Sequence, residues 1–192
     1  MNLPGVYKSF LDRWKDYQTV HIISDTHFGE KDLENAYSFR PKAEDFVKLI
    51  NSKVGRKDIL ICLGDCGDLE CWKKIHGYKV LIMGNHDDGV EKYRKVFQEV
   101  YEGPLMLGEK LLLSHEPILG INWALNIHGH DHQGPIRTDR YHFNINCDAN
   151  KTYEPINFNA MLKKGITTHI IPLHRQIIDT ATVRKRRKEA CK

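Results

Sequence analysis

One short segment carries two side chains of types that commonly bind metal ions. Asp25 and His27, in the triplet Asp-Thr-His, directly follow an apolar run. Residues at positions i and i+2 of an extended segment point the same way, so these two side chains can share one ion. A carboxylate with an imidazole suits borderline divalent metals such as Mn, Fe, Zn or Co. Alone, such a triplet is a weak signal.

Two further segments place oxygen ligands after glycine. Asp65 follows Gly64, and Asn85 follows Gly84 in the run Gly-Asn-His-Asp. One carboxylate has two oxygens and can bridge two cations, while Asn offers a neutral carbonyl oxygen. The glycines let the backbone turn sharply away from a preceding strand. Each segment taken singly is also typical of an ordinary turn.

Histidines, of which the chain has 11, complete the set. His115 lies in Ser-His-Glu-Pro, and His130 and His132 repeat the i, i+2 spacing in Gly-His-Asp-His. The alternative for these segments is a polar turn with exposed imidazoles. His128 precedes them at the last position of a predicted strand, where we expect a packed or hydrogen-bonded ring rather than a ligand.

In the first half of the chain, short apolar runs alternate with segments whose apolar residues recur at helical spacing. This pattern predicts strands at 20–24, 58–63 and 79–83, and helices at 41–54, 69–75 and 89–100. Each predicted strand ends at one of the polar segments above. Because ligands in open α/β sheets bind outside the carboxyl ends of the strands, we expect these segments to meet at one edge.

The second half reads more like a strand meander. We predict strands at 105–107, 110–114, 125–128 and 141–147, a helix at 155–164, and late strands at 167–172 and 176–178. Together the two halves predict an α/β fold in which a sandwich of sheets is flanked by helices.

Composition limits the class of protein. A chain of 192 residues, 41% hydrophobic and 28% charged, is typical of one globular domain, which we place at 1–183. The net charge of the chain is +4. The basic segment 184–192 alone has a charge of +5, so the rest of the chain has a charge of −1, and we expect the segment to be a solvated, flexible tail. Because no apolar run approaches membrane-spanning length and the N-terminus lacks a signal sequence, we expect a cytoplasmic protein without membrane contact.

The five cysteines fit that compartment. Their odd number and the lack of a regular spacing argue against a disulfide framework, and the absence of a C-x-x-C pair argues against a zinc site. Cys62, Cys66 and Cys71 lie close together and could form a zinc knuckle, but a buried strand Cys62 with reduced thiols elsewhere is the favoured interpretation.

In the order Asp-x-His, Gly-Asp-x-x-Asp, Gly-Asn-His-Asp, His and Gly-His-x-His, the segments from Asp25 to His132 closely resemble the calcineurin-like metallophosphoesterase family. The resemblance implies two mixed β-sheets packed as a sandwich with flanking helices, in α-β-β-α layers. It implies a first metal held by Asp25, His27 and His132, and a second held by Asn85, His115 and His130. Asp65 would bridge both ions.

The resemblance also implies the catalytic pair. His86 matches the family's catalytic histidine, Asp68 matches the acid that orients it, and Asp87 is expected to be structural. Two divalent ions, with Mn expected and Fe, Zn, Ni or Co as alternatives, can bridge a hydroxide for in-line attack on phosphorus. An imidazolium at His86, favoured by a neighbouring carboxylate, could protonate the leaving oxygen. No Ser or Cys nucleophile is required.

The predicted function is hydrolysis of phosphomonoesters or phosphodiesters, with a small phosphoester or nucleotide as substrate. Two alternatives stay open. One is a non-catalytic metal-binding scaffold that binds other proteins, and the other is a nuclease, which the basic tail suggests. The gaps between motifs leave no room for a large lid domain, so we expect an open site. Arg40 and Arg137, with Arg140, are candidates for contacting a phosphate, although a solvated surface charge is typical of such residues. The oligomeric state is not predicted.

Overall fold

Two β-sheets pack face to face in the computed structural model, which describes residues 19–178 and residue 180. The first sheet has the strand order β4-β3-β2-β1-β9. Strands β1 to β4 run parallel, and β9 pairs antiparallel with β1. The strands are β1 (Val20–Ile23), β2 (Ile59–Cys62), β3 (Tyr78–Ile82), β4 (Glu99–Tyr101) and β9 (Ile156–Asn157).

The second sheet has the strand order β5-β6-β7-β8. Its first pair is antiparallel and the other two pairs are parallel, so both sheets are mixed. The strands are β5 (Leu105–Leu107), β6 (Leu111–Leu113), β7 (Leu125–His128) and β8 (His142–Asn144). The prediction of two mixed sheets in an α/β fold is confirmed.

Helices flank these sheets. They are α1 (Lys31–Ala36), α2 (Ala43–Lys53), α3 (Leu69–Lys73), α4 (Val90–Tyr93), α5 (Cys147–Asn150) and α6 (Phe158–Lys163), followed by a helical segment at 173–178. The longest, α2, has acidic residues in its first turn and Lys53 in its last, as the helix dipole favours. It buries Phe46, Val47 and Ile50 on one face.

The apolar residues of β2 are divided between two cores. Ile59 and Ile61 belong to the cluster between the two sheets, together with residues of β6 and β7. Leu60 and Cys62 belong to the cluster that α2 and α3 complete with Phe46 and Trp72. Because side chains alternate along a strand, β2 is covered on both faces and is fully buried. This rigid central strand ends next to Asp65.

Several predicted boundaries are wrong. The predicted helix 89–100 ends at Tyr93 in α4, and residues 99–101 form β4 instead, because pairing with β3 outweighs local helix preference. The predicted strand 141–147 stops at Asn144, and Asn146 caps α5 by accepting hydrogen bonds from two backbone N–H groups.

The predicted late strands are also wrong. Residues 167–172 form turns and irregular chain, and residues 176–178 are helical. Pro172 precedes this last helical segment, and its carbonyl accepts hydrogen bonds from Arg175 and Gln176. Proline is favoured where a helix begins, so Pro172 explains why residues 176–178 are helical although their apolar residues suggested a strand.

None of the helices within 19–178 is both long enough and apolar enough to cross a membrane. The basic segment 184–192 lies outside the described residues, so its predicted flexibility and the domain boundary at 183 stay predictions. Within the described part of the chain, Cys62, Cys66, Cys71 and Cys147 are free thiols.

Candidate metal centre

The predicted ligands follow the carboxyl ends of strands in both sheets. Asp25, Asp65 and Asn85 come two or three residues after β1, β2 and β3, which are parallel neighbours. His115 and His130 follow β6 and β7, which are parallel neighbours in the second sheet. A bridge between Ser24 and Asn146 and a hydrogen bond from Gly129 to the His115 carbonyl join the loops there. The sandwich therefore brings both sets of loops to one edge.

One group of ligand atoms surrounds Asp25. Its Oδ1 lies 3.9 Å from His27 Nε2 and 3.7 Å from His132 Nε2. Donor atoms of these three residues all lie within 4.8 Å of one another. The backbone N–H of His130 donates to both oxygens of the Asp25 carboxylate, which fixes its orientation. These are the three residues that the sequence assigned to the first metal.

A second group surrounds Asn85. His115 Nε2 lies 2.8 Å from Asn85 Oδ1, and His130 Nδ1 lies 3.1 Å from the same oxygen. Asp65 stands between the two groups, since its Oδ2 is 3.4 Å from His27 Nε2 and 3.3 Å from His115 Nε2. A carboxylate between two groups of ligand atoms can contribute to the binding of two ions.

The residues fit divalent cations. His27 is buried, and its Nε2 has no hydrogen-bond partner among residues 19–178, although it points at two carboxylates. A buried polar atom without a partner is costly and rare in proteins. Two carboxylates, one amide oxygen and four imidazole nitrogens form a donor set that suits borderline divalent metals.

Hydrogen bonds on the far side of three of the four imidazole rings fix which nitrogen faces the centre. His27 Nδ1 is 2.8 Å from Glu30 Oε1, His132 Nδ1 is 2.7 Å from Asp148 Oδ2, and His115 Nδ1 is 2.8 Å from the Leu63 carbonyl. Such partners orient a metal-binding histidine and raise its basicity. In each case Nε2 is left to face the other ligands.

Sequence analysis missed Glu30 and Asp148. Glu30 lies three residues after His27, a spacing that could have suggested a local partner. Asp148 lies 16 residues from His132 in the sequence, just beyond the predicted strand 141–147, and offers no such signal.

Arg40 was predicted to contact a phosphate, but its guanidinium group is bound within the protein. The residue is only 8% exposed. Its Nη1 donates to both oxygens of Asp148, and its Nη2 donates to the carbonyls of Asp25 and Thr26. Because these bonds occupy both terminal nitrogens, Arg40 supports the loop that carries Asp25 and does not face the open side of the site.

Burial and mutual charge shift the acid–base behaviour of this cluster. Burial raises the pKa of Asp25. Burial also opposes ionisation of Asp65, but its hydrogen bond with His115 and the His115 charge outweigh burial, and the pKa of Asp65 is lowered. Burial likewise disfavours the cationic form of His115, yet the carboxylates of Asp65 and Asp25 raise its pKa to about 9. The metal-free cluster therefore retains a proton at neutral pH.

His86 lies at the exposed rim of the centre. Its backbone N–H donates to Asp65 Oδ1 at 2.9 Å, and its ring lies edge-on to the His27 ring at 5.2 Å. One of its ring nitrogens lies within 4.8 Å of a ligand atom of His27 and of Glu30. A side chain in this position can reach a substrate atom without belonging to the main ligand groups.

Asp68, the predicted partner of His86, caps α3. Its Oδ1 accepts a hydrogen bond from the Glu70 backbone N–H at 2.9 Å. No hydrogen bond joins Asp68 to His86 within the described part of the chain, so their pairing stays a prediction. Asp87 accepts hydrogen bonds from the backbone N–H groups of Asp65, Cys66 and Gly84, which agrees with its expected structural role.

Arg137, Arg140 and His128 belong to neither group of ligand atoms. Arg137 is exposed with its guanidinium over the Phe143 ring at 5.8 Å, and Arg140 packs over Tyr141 at 5.5 Å. Phosphate contact by either arginine stays a prediction. His128 is buried at the end of β7, and its Nδ1 lies 2.9 Å from the Gly129 carbonyl, as expected for a packed ring.

Backbone geometry at the centre is unusual. Asp25, His27, Asp65 and His130 all have positive φ, between 39° and 65°, where residues with a Cβ are disfavoured. Gly64 has φ 85°, and a Cβ there would lie 2.6 Å from His115 Nδ1 and from Gly84 N. The loops therefore approach closely and hold their ligands in strained conformations, which cluster at functional sites.

Comparison with known proteins agrees with this architecture. An uncharacterised protein, MJ1445, of Methanocaldococcus jannaschii is 29% identical over 170 residues, covering 75% of this chain and 89% of that protein. The crystal structure of AQ665, a protein of unknown function from Aquifex aeolicus, is similar with a TM-score of 0.61 and 27% identity, over 76% of this chain and 98% of that one. The model of the family described as calcineurin-like phosphoesterase matches residues 18–177. A match over most of the chain, on the fold and the ligand cluster described above, shows that the protein belongs to the calcineurin-like phosphoesterase family.

Proposed function

We propose that this protein is a phosphoesterase that depends on two divalent metal ions. The observation that carries the proposal is the position of Asp65, whose Oδ2 faces His27 on one side and His115 on the other at 3.4 and 3.3 Å. A carboxylate set between two groups of ligand atoms supports a centre with two cations. Family membership supports a phosphoester as the substrate.

Each ion would have its own ligands and share Asp65. Asp25, His27 and His132 would hold the first ion, and Asn85, His115 and His130 the second. When bound, such a pair supplies Lewis acidity and an activated water for attack on phosphorus. We expect Mn, with Fe, Zn, Ni and Co as alternatives.

The protein side chains would position the reaction and its protons. Glu30, Asp148 and the Leu63 carbonyl hold the imidazoles of three ligands in one orientation, so the ligand cage is already arranged before substrate binds. His86, exposed at the rim, would donate a proton from its imidazolium to the leaving oxygen.

An open rim supports small phosphoesters as substrates. Asn85, His86 and His130 are exposed or partly exposed, while Asp25 and Asp65 lie buried beneath them. A phosphoryl group can therefore reach the ligands from solvent with either one or two ester groups attached. We propose both monoesters and diesters as candidates, and a cytoplasmic location in line with the composition.

The test is hydrolysis by metal-stripped protein to which Mn, Ni, Zn or Mg is restored, using nitrophenyl phosphate and bis-nitrophenyl phosphate in parallel. We expect turnover only with metal, and the ratio of the two rates identifies the preferred ester. Asp65→Asn and His86→Ala should each abolish most of the activity. Asp88→Asn is the matched control, because Asp88 is exposed and pairs with Lys92 outside the cluster.

Two results would contradict the proposal. Undiminished turnover in Asp65→Asn would show that the assigned centre is not the site of reaction. Two bound ions per chain without turnover of either ester, with any metal, would favour the scaffold alternative. Nuclease activity is tested separately with single-stranded and double-stranded DNA under the same metal conditions.

A further inference from the structure

The centre opens sideways into a cleft lined by aromatic rings. Tyr37, in the loop after α1, stacks on the ring of His132 with centroids 5.9 Å apart and planes inclined by 29°. This cleft has a volume of about 490 Å³ and is lined by residues that include Tyr37, Phe39, Gln133 and Lys151. His132 is therefore both a proposed metal ligand and one wall of the cleft.

Phe39 is the most unusual residue of that wall. Its side chain is 77% exposed, although a large aromatic ring is normally buried. The next residue, Arg40, is anchored by Asp148 and by two backbone carbonyls, so the chain that presents Phe39 is fixed. A flat apolar ring held at the mouth of a cleft is suited to stacking against a flat ligand.

A second cleft meets the first at Tyr37. It has a volume of about 540 Å³ and is lined by Leu33, Tyr37, His130, His132 and Gln133 among others. Because His130 and His132 also belong to the proposed metal centre, a group bound near the metals can extend along the Tyr37 ring without leaving the protein surface. These volumes are in the range of small-molecule sites.

Polar groups distinguish this cleft from an apolar groove. Gln133 can donate and accept hydrogen bonds, and the ammonium group of Lys151 can donate. Lys151 follows α5 as its C-terminal cap, with the left-handed backbone that is common at helix ends, so its position at the cleft is set by the helix. Aromatic faces combined with a few hydrogen-bonding groups suit a nucleobase and its ribose better than a purely apolar ester.

We propose that the cleft formed by Tyr37, Phe39, Gln133 and Lys151 binds the base of a nucleotide whose phosphate lies at the metal centre. This inference rests on the proposed function for the phosphate and adds the chemical class of the substrate. Stacking against Tyr37 and Phe39 provides the affinity for the base.

The test is equilibrium binding measured by calorimetry, so that it does not depend on turnover. Manganese-loaded His86→Ala protein is titrated with adenosine 5′-monophosphate and with ribose 5-phosphate, which lacks the base. We expect the nucleotide to bind at least about tenfold more tightly. Tyr37→Ala and Phe39→Ala should each weaken nucleotide binding roughly 5- to 150-fold and leave ribose 5-phosphate unchanged, as expected for removal of one stacked ring.

Matched variants separate stacking from folding. Tyr37→Phe keeps the ring and should bind the nucleotide like the parent protein, while Ile177→Ala removes an exposed apolar side chain outside both clefts. Phe39 is exposed, so its replacement tests the cleft even if Tyr37→Ala does not fold. Equal binding of the two phosphates, or unchanged nucleotide affinity in Phe39→Ala, would overturn the proposal. Turnover of nitrophenyl phosphate by the parent protein reports separately on the proposed hydrolase function.

Discussion

Arg40 and Asp148 form a fully buried ion pair beneath the candidate metal centre, with Nη1 of Arg40 2.7 Å from both carboxylate oxygens. The two side chains are 1% and 0% exposed. The same carboxylate accepts hydrogen bonds from Tyr153 and from His132 Nδ1. One buried charge pair therefore connects the loop before α2, helix α5 and a proposed metal ligand.

Removal of the arginine should destabilise the fold. Arg40→Ala leaves the Asp148 carboxylate buried without its countercharge, and loss of one partner of a buried pair costs about 3–5 kcal/mol. The free energy of unfolding, measured by urea denaturation of the metal-free protein, should fall by that amount. Lys48→Ala breaks an exposed pair with Asp45 and should change it by less than about 1 kcal/mol. Similar small effects of both variants would show that the buried pair does not support the fold.

Glu30 should tune the metal affinity without supporting the fold. Glu30→Gln weakens the charged partner of His27 Nδ1, and loss of such partners typically reduces metal affinity about 10- to 100-fold. Because the Glu30 side chain is 36% exposed, we expect little change in unfolding free energy. Manganese titration calorimetry measures the effect, with Glu44→Gln on the exposed face of α2 as the control. Equal affinities of parent and Glu30→Gln protein would refute the role.

Metal binding should release protons near neutral pH. The pKa of His115 is raised to about 9 in the metal-free cluster, whereas a metal requires the neutral ring. Manganese affinity should therefore increase with pH, by about tenfold per unit for one displaced proton, and level off above pH 9. Calorimetry in buffers of different ionisation enthalpy counts the protons directly. An affinity independent of pH between 7 and 9 would contradict a protonated His115.

The same shift predicts how stability depends on pH in the absence of metal. Since the folded pKa of His115 lies above its ordinary value of 6.5, its contribution is complete below pH 6.5 and is lost as the pH rises through about 9. Thermal unfolding of metal-free protein should show this decline. His115→Gln should remove it, whereas His76→Gln, outside the cluster, should not.

Close contact of loops makes Gly129 irreplaceable. A Cβ at this position would collide with Ser24 Oγ and with the Asp25 carboxylate. Gly129→Ala should therefore destabilise the protein by about 1–3 kcal/mol and displace Asp25, with loss of metal binding. In Gly103→Ala the new methyl group meets nothing within 4 Å, so stability and manganese affinity should stay at parent values. Parent-like metal binding in Gly129→Ala would show that the loops can separate.

Strands followed by polar segments were the most predictable part of the chain. β7 was predicted with its observed bounds. The predicted strands at 20–24 and 58–63 contain all of β1 and β2, and the predicted strand at 79–83 contains β3 apart from Tyr78. Such runs are buried on both faces, so their apolar character is continuous and their ends are marked by Gly or Asp. The ligand positions followed from those ends.

Features that depend on distant partners could not be predicted. The strand β4 exists because residues 99–101 pair with β3, and its own sequence continues a helical pattern. Arg40 was predicted to contact a phosphate or to be a solvated surface charge, yet it is buried against a partner that lies 108 residues away. The role of Asp148 is likewise visible only once the fold brings His132 beside it.

The positive φ angles at Asp25, His27, Asp65 and His130 have a consequence for how the sequence can change. Glycine would relieve the strain at any of these positions, at the loss of one ligand. Glycine at these positions would therefore relax the backbone at the very residues that are proposed to bind metal. A relative that does not bind metal should therefore be able to lose these four side chains, while the buried strands behind them remain recognisable.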